Sequence, residues 1–222
     1  MQRFLLTGAV GSGKGTIAKK IVDHFDNFGL FCAGDVIRSH IHRETDFGKR
    51  ARSFLETGEH VPDSLVNELL LKELALHQLR HQRLLLDGFP RTLTQLAAVE
   101  SAAPISFCFE LDVPKKVIFE RLTKRWVHPG SGRTYNLDYN PPEVEGKDDL
   151  TGEPLERRID DNDESIRRRL EVYSKTESKV AAYFKSNGNG VTVKGDSSDL
   201  IWPIVRAHLE ELLQQRRVAS SA

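Results

Sequence analysis

A glycine-rich stretch near the start, Gly8-Ala9-Val10-Gly11-Ser12-Gly13-Lys14-Gly15-Thr16, limits what this chain can become. Arg3 to Thr7 is a short apolar run that stops at Gly8, and Ile17, Ala18, Ile21, Val22 and Phe25 then recur at helical spacing. The segment therefore reads strand, tight loop, helix. That is the setting in which GxxxxGK[ST] forms a phosphate loop, although here Gly15 takes the last position and Thr16 follows. Glycines let successive backbone N–H groups curl into a nest around oxyanions, and the helix start adds its positive dipole end. Lys14 can follow a moving phosphate as a mobile charge. A glycine turn with no ligand is the alternative, and strand, lysine and helix together weigh against it. The motif alone specifies a nucleotide phosphate site and no reaction.

Beyond the loop, apolar runs alternate with helical patterns. Leu30-Phe31-Cys32 reads as a short strand, and residues 35–58 as polar helical pieces. Pro62-Asp63-Ser64 opens a helix with Leu65, Leu69, Leu70 and Leu74 as its stripe. Leu84-Leu85-Leu86 and Ile105 to Leu111 read as strands buried on both faces. Val117 to Val127 has a helical pattern. From His128 to Asp161 the chain is rich in Gly, Pro, Asp and Asn, as expected for turns and short strands. A long amphipathic helix is expected from Asp163 through Phe184, a strand over Gly190 to Val193, a helix from Leu200 to Leu213, and a frayed tail from Arg216. Strands alternating with helices predict an α/β fold, a parallel sheet with helices on both faces.

The 222 residues suit one such domain with insertions or two small domains. The 32 basic and 32 acidic side chains cancel, so no global field draws the protein to nucleic acid or an acidic membrane. Neither partner is expected; any anion site must come from local clustering. Cys32 and Cys108 lack CxxC spacing, which suits small core residues in a reducing compartment. No apolar run approaches the roughly 20 residues of a membrane helix. The start of the chain shows no signal peptide or presequence pattern.

A second anion site is expected at Asp87-Gly88-Phe89-Pro90-Arg91-Thr92, since ligands gather at the carboxyl ends of parallel strands. Asp87 can hold Mg²⁺ through water, and Arg91 can fork onto a phosphate. An ordinary strand-end Asp with a surface Arg is the alternative. Arg121 and Arg125, one turn apart on the expected helix, would share a face. Arg158 and Arg169 flank the Gly/Pro-rich excursion, whereas Arg167 and Arg168 fit a solvated or salt-bridged face. Arginines around one mobile segment suit a closing clamp on polyphosphate, because phosphoryl transfer needs positioning and positive charge.

With these residues the sequence resembles the adenylate kinase family in its long-lid form, from Phe4 to about Leu212. The resemblance rests on the phosphate loop, Gly34-Asp35-Val36-Ile37-Arg38, Asp87 to Thr92 with Gln95, and Arg158 with Asp160-Asp161. Arg125 to Pro129, Ser131 to Asn136, Asp148 to Leu155 and Ile201-Trp202-Pro203 are similar to the mitochondrial-matrix GTP:AMP phosphotransferase subgroup. The resemblance implies phosphoryl transfer from GTP, ITP or ATP to AMP, with Mg²⁺ on the nucleotide. It also implies a monomer and a mitochondrial-matrix location, a cytoplasmic one being the alternative. Gly11, Ser12, Gly13, Lys14, Gly15 and Thr16 would bind the donor phosphates. Arg121, Arg125, Thr134 and Tyr135 would face the donor, with Ser197 near its base. Ala33, Arg38, Gly88, Arg91 and Gln95 would hold AMP, with Glu59, His60 and Val61 near its adenine. Arg158 and Arg169 would bridge both nucleotides. Lys14, Arg91, Arg125, Arg158 and Arg169 form the implied catalytic set. Residues 1–31, 62–123 and 162–222 would be the core, 32–61 the monophosphate-binding domain and 124–161 the lid.

Val10 replaces the family's usual proline, and Ala33 a usual hydroxyl residue beside the acceptor; restoring it is expected to tighten AMP binding. His128, Ser131, Asp148 and Thr151 stand where some relatives carry zinc-binding cysteines, so a hydrogen-bonded network without zinc is expected. Two rival readings remain, an ATP-using adenylate kinase and a non-catalytic nucleotide-binding partner protein. Lys14 and the clamp arginines, all present, disfavour the second.

Overall fold

The computed structural model describes residues 2–219. Its centre is a five-stranded parallel sheet made of β1 (Gln2–Gly8), β2 (Phe28–Cys32), β3 (Arg83–Asp87), β4 (Phe107–Asp112) and β7 (Gly190–Lys194), in the order β2-β3-β1-β4-β7. The two-residue period of a strand divides the apolar runs between two cores. Leu5, Leu84 and Leu86 face one side, with Phe31, Phe89 and Cys108. There they meet α2 (Ala33–His42), α3 (Asp46–Thr57), α4 (Asp63–Gln78), α5 (Leu93–Ala102) and α8 (Ser178–Ser186). Phe4, Leu6, Leu85, Phe109 and Leu111 face the other. That side is covered by α1 (Lys14–His24), α6 (Lys115–Thr123), α7 (Asp163–Val172) and α9 (Ser198–Ala219). Burial on both faces is why these strands read as unbroken apolar runs. Each fully buried Leu or Phe contributes about 1.5–3 kcal/mol.

Topology decides where the site lies. From β1 the chain crosses to β2 at one sheet edge, and from β3 it passes over β1 to β4. The strand order reverses at β1, so the crevice beyond the carboxyl ends of β1, β3 and β4 is open to a ligand. Gly8, Asp87 and Asp112 terminate these strands.

Several boundaries differ from the sequence reading. The helix after Val117 stops at Thr123, whose hydroxyl donates to the Phe119 and Glu120 carbonyls. Arg125–Val127 is instead a short strand, β5, antiparallel to β6 (Thr134–Asn136). Arg121 and Arg125 thus do not share a helix face; aromatic and β-branched residues at 126 and 127 favour the hairpin. In α4 Leu70 and Leu74 are buried as expected, with Val66 completing the line in place of Leu65 and Leu69. The long helix after Asp163 contains a π-helical turn, Tyr173–Glu177, between α7 and α8. The tail expected to fray from Arg216 continues as helix to Ala219; the remainder of that expectation lies outside the described residues.

Candidate active site

The phosphate loop joins β1 to α1. Gly13 caps α1 with φ of 90°, a left-handed conformation that L side chains rarely adopt. Gly11 is also left-handed, and a Cβ there would lie 2.9 Å from Leu122 Cγ. No side chain caps α1 and no acidic residue lies in its first turn, so its leading N–H groups are free for an anion. Lys14 donates to the carbonyls of Gly8 (2.6 Å) and Ala9 (2.9 Å). An ammonium has three donors, so one remains. Burial lowers the Lys14 pKa, partly offset by Asp87 and Glu177. A Cβ on Gly15 would meet nothing within 4 Å; the protein's own packing does not demand glycine there. Arg121 donates to the carbonyls of Gly11 (3.2 Å) and Asp196 (2.7 Å), tying α6 to the loop and to the turn carrying Ser197. The Ser197 hydroxyl accepts from Leu200 N at the start of α9.

At the end of β3, Asp87 is buried, and burial raises its pKa against the pull of Lys14 and Arg91. Its carboxylate makes no hydrogen bond among the described residues. The backbone then turns through Gly88, at φ of 77°, to Arg91. Arg91 Nε donates to the Gly88 carbonyl at 2.8 Å, and Nη1 lies 3.4 Å from Glu177 Oε1. Gln95 accepts from the Arg91 backbone N–H (2.7 Å) and donates to Asp63 (2.7 Å), so both ends of its amide are engaged. Asp63 also accepts from the Thr92 hydroxyl, whose oxygen in turn caps α5.

The remaining arginines arrive from three directions. Arg38 on α2 pairs with Asp35. Arg125 on β5 is held by both oxygens of Asp161, which has a fully enclosed side chain. Arg169 on α7 forms an ion pair with the Asp160 carboxylate (2.8 Å) and donates to its carbonyl (3.0 Å). Burial pushes its pKa down to about 10. Arg158 differs. Burial, then Arg38 and Arg125, push its pKa down to about 9, and its Nε is enclosed without a partner. Among the described residues its guanidinium makes no hydrogen bond or ion pair. It remains charged at neutral pH, so this is a desolvated cation crowded by two others. Such a cluster is stable only with compensating anions, of which Asp160 and Asp161 supply part. The Gly/Pro-rich excursion meets α2 here: a Cβ on Gly132 would lie 3.4 Å from Asp35.

His128, Ser131, Asp148 and Thr151 form a hydrogen-bonded network. His128 bonds Ser131 (2.7 Å) and Glu153 (2.6 Å). Asp148, with its side chain 0% exposed, accepts from Arg133 (2.6 and 2.8 Å), Tyr135 (2.9 Å) and Thr151 (3.0 Å). These bonds, Arg133 first, hold its carboxyl well below the usual carboxylate range. The Tyr135 hydroxyl is therefore engaged within this network, donating to Asp148 and accepting from the Asp149 backbone N–H. Thr134 is exposed.

The family profile described as Adenylate kinase matches residues 6–189. The chain belongs to the adenylate kinase family. Within it, the chain is 42% identical over 208 residues to "GTP:AMP phosphotransferase, mitochondrial" of Saccharomyces cerevisiae, covering 90% of this chain and 89% of that one. It is 37% identical to the protein of the same name in Drosophila melanogaster, covering 94% and 95%. It is also 43% identical over 183 residues to "Adenylate kinase" of Coxiella burnetii, covering 82% and 78%.

For this family member the structure adds residues the sequence reading passed over. Asp63 anchors Gln95 and Thr92. Glu177 is buried and reaches both Arg91 and His60, the latter at 2.9 Å. A signal for Glu177 existed: it falls on the buried stripe of Tyr173, Ala181 and Phe184, where a carboxylate needs partners. Cys32 is half-buried near Asp87 and Asp35 rather than in the core; burial and these carboxylates raise its thiol pKa to about 12. Cys108 is a core residue as expected. Arg167 lies over the Phe119 ring, and Arg168 pairs with Glu59. Val61 is buried in the core.

Ala33 is 1% exposed and belongs to the core cluster that also holds Phe31, Leu86 and Phe89. A larger side chain overpacks this region, which changes the expected result. Ala33→Thr should lose about 1–3 kcal/mol, read as a lower urea midpoint, instead of tightening AMP. An unchanged midpoint with improved AMP affinity would restore the acceptor-contact reading.

Proposed function

We propose that the protein is a nucleoside-triphosphate–adenylate kinase: it catalyses NTP + AMP ⇌ NDP + ADP, with GTP favoured and ITP and ATP also used. The observation that carries this is Arg158, half-buried with its Nε enclosed and its guanidinium in no ion pair among the described residues, beside Arg38 of the acceptor side and Arg125 of the donor side. A lone nucleotide site has little use for cations on both sides of one cleft; an in-line transfer between two phosphates does.

In this reading the Gly11–Thr16 backbone and Lys14 take the donor β- and γ-phosphates, and the open space over Gly15 admits them. Arg38 and Arg91 take the AMP phosphate. Arg125, Arg158 and Arg169 neutralise charge on the transferring group. Arg121 and the turn at Ser197 border the donor. Gly88, Gln95, Glu59, His60 and Val61 border AMP, with Ala33 in the core beneath. Residues 32–61 and 124–161 act as the monophosphate-binding domain and lid over a core of 1–31, 62–123 and 162–222. Closure excludes water, which would otherwise take the phosphoryl group.

Magnesium fits this site. Asp87 is a buried carboxylate with no hydrogen-bond donor on it, while no cluster of three or more His, Cys, Asp or Glu exists among the described residues. That suits an ion held mostly by phosphates and water with one carboxylate behind it. Bound there, Mg²⁺ would neutralise phosphate charge.

The mitochondrial names of the yeast and fly relatives support a matrix location, with the cytoplasm as alternative. The net charge of zero supplies no global field toward nucleic acid or an anionic membrane, and the monomer rests on the family resemblance alone. No described helix is long and apolar enough to cross a membrane.

The name of the Coxiella relative favours a second reading, ATP as the preferred donor. A coupled assay with ATP, GTP and ITP against AMP, CMP, UMP and GMP separates the two. AMP should be the acceptor and GTP at least as good a donor as ATP. A kcat/KM for ATP more than about tenfold above GTP would remove the GTP preference and leave the adenylate kinase. No transfer to any monophosphate would remove both.

A further inference from the structure

Glu177 has no place in the chemistry described so far, yet it lies at the acceptor arginine. Its side chain is 10% exposed, and one oxygen, Oε1, meets both His60 Nε2 (2.9 Å) and Arg91 Nη1 (3.4 Å). A carboxylate this enclosed would be costly without compensation. Burial alone would raise its pKa; Arg91, then His60 and Lys14, outweigh burial and bring it down to about 2. Glu177 is therefore an anion fixed among cations.

The backbone explains how a residue eight positions beyond Arg169 reaches the same cleft. In a regular α-helix the two would point about 80° apart. The i→i+5 turn over Tyr173–Glu177 under-rotates the chain and brings them closer to one face. Tyr173, at the start of that turn, donates to buried Glu110 (2.8 Å), and Thr176 donates to the Val172 carbonyl (2.7 Å). Both bonds brace the turn.

His60 belongs to the segment that leaves α3 for α4. Its neighbours touch the same helix: Glu59 pairs with Arg168, and a Cβ on Gly58 would lie 2.7 Å from the Ser165 carbonyl. Gly58-Glu59-His60 is thus docked on the α7–π helix residue by residue, and Glu177 is where the docking reaches Arg91.

We propose that Glu177 is a positioning residue for AMP: its carboxylate holds one flank of the Arg91 guanidinium and fastens His60 to the same point. Gly88 fixes Arg91 through Nε and Glu177 through Nη1. The outer Nη2 edge of the fork is left for the acceptor phosphate. The inference rests on AMP being the acceptor.

The test is Glu177→Gln, which keeps shape and removes charge, measured beside wild type, Arg91→Ala and the double variant. Circular dichroism and a thermal midpoint establish folding, and calorimetric AMP titration gives a readout independent of turnover. The KM and Kd for AMP should rise about tenfold, with donor KM unchanged. If Glu177 acts through Arg91, then in the Arg91→Ala background the same substitution should add nothing. Glu177→Asp, which keeps the charge, should recover part of the loss.

An AMP KM that is unchanged or lower in folded Glu177→Gln overturns the proposal, since relief of carboxylate–phosphate repulsion would then dominate. Equal losses in both backgrounds also overturn it and assign Glu177 a purely structural role. If Glu177→Gln does not fold, the Glu177→Asp titration decides alone: wild-type AMP affinity together with wild-type kinetics counts against positioning, and a selective loss of AMP affinity supports it. Failure of wild type to phosphorylate AMP would instead sink the kinase reading and is visible before any variant is made.

Discussion

Replacing Lys14 by alanine should lower kcat by about a hundred- to a thousandfold while the fold survives. Its ammonium sits at the mouth of the phosphate nest, close enough to Asp87 and Glu177 to feel both, with one donor uncommitted. Removing a preorganised donor aimed at developing charge costs about 2.7–4 kcal/mol. A competing effect must be separated. The Gly8 and Ala9 carbonyls lose a partner, and an unpaired polar group costs about 1–3 kcal/mol when fully desolvated. Lys14 is only half-buried, so water can replace part of that loss. The expected signature is a thermal midpoint lowered by a few degrees at most beside a collapsed kcat. A folded variant with unchanged kcat would contradict the assignment of the loop.

The second large effect is at Arg169. Arg169→Ala should lower kcat about a thousandfold or more, the range in which arginines stabilise a transferring phosphoryl group. Its neighbours make the internal control. Arg167 is exposed and covers the Phe119 ring, so Arg167→Ala should leave kcat and both KM values nearly unchanged. Arg168 is also exposed but pairs with Glu59, in the segment proposed to border AMP. Exposed pairs contribute about 0–1 kcal/mol, so Arg168→Ala should raise the AMP KM by up to about fivefold without touching the donor KM. Arg169→Ala also leaves Asp160 and Asp161 short of a counter-charge, and its stability must be measured with its kinetics. Equal kinetic losses at all three positions would mean that the helix face is wrong.

These residues show what a sequence discloses and what it withholds. The phosphate loop was legible because strand, glycines, lysine and helix are contiguous, and local geometry follows from local residues. The two-sided sheet was legible for the same reason: Leu84-Leu85-Leu86 can satisfy both faces only between two layers. Arg125 was misplaced because a residue four positions after Arg121 looks helical until Thr134–Asn136 arrives to pair with its strand. Tyr135 looked available because Asp148, which takes its hydroxyl, is 13 residues away. Glu177 was missed altogether, since His60 lies 117 positions earlier and the π turn that aims the carboxylate has no composition of its own. Such pairings are set by the tertiary fold.

The central position of β1 has a consequence for how the chain is made. β1 is synthesised before both of its neighbours, β3 at 83–87 and β4 at 107–112. At about 5–20 residues per second, β4 follows β1 by roughly 5–20 seconds. Until β3 is made, Phe4, Leu5 and Leu6 have no neighbouring strand, and the growing chain carries an unpaired apolar strand. Chaperones that hold nascent chains would find their ligand there. Gly8 is shaped by the close approach of the Leu111 carbonyl. The phosphate loop is therefore completed only after β4, which follows it in the chain, has been made.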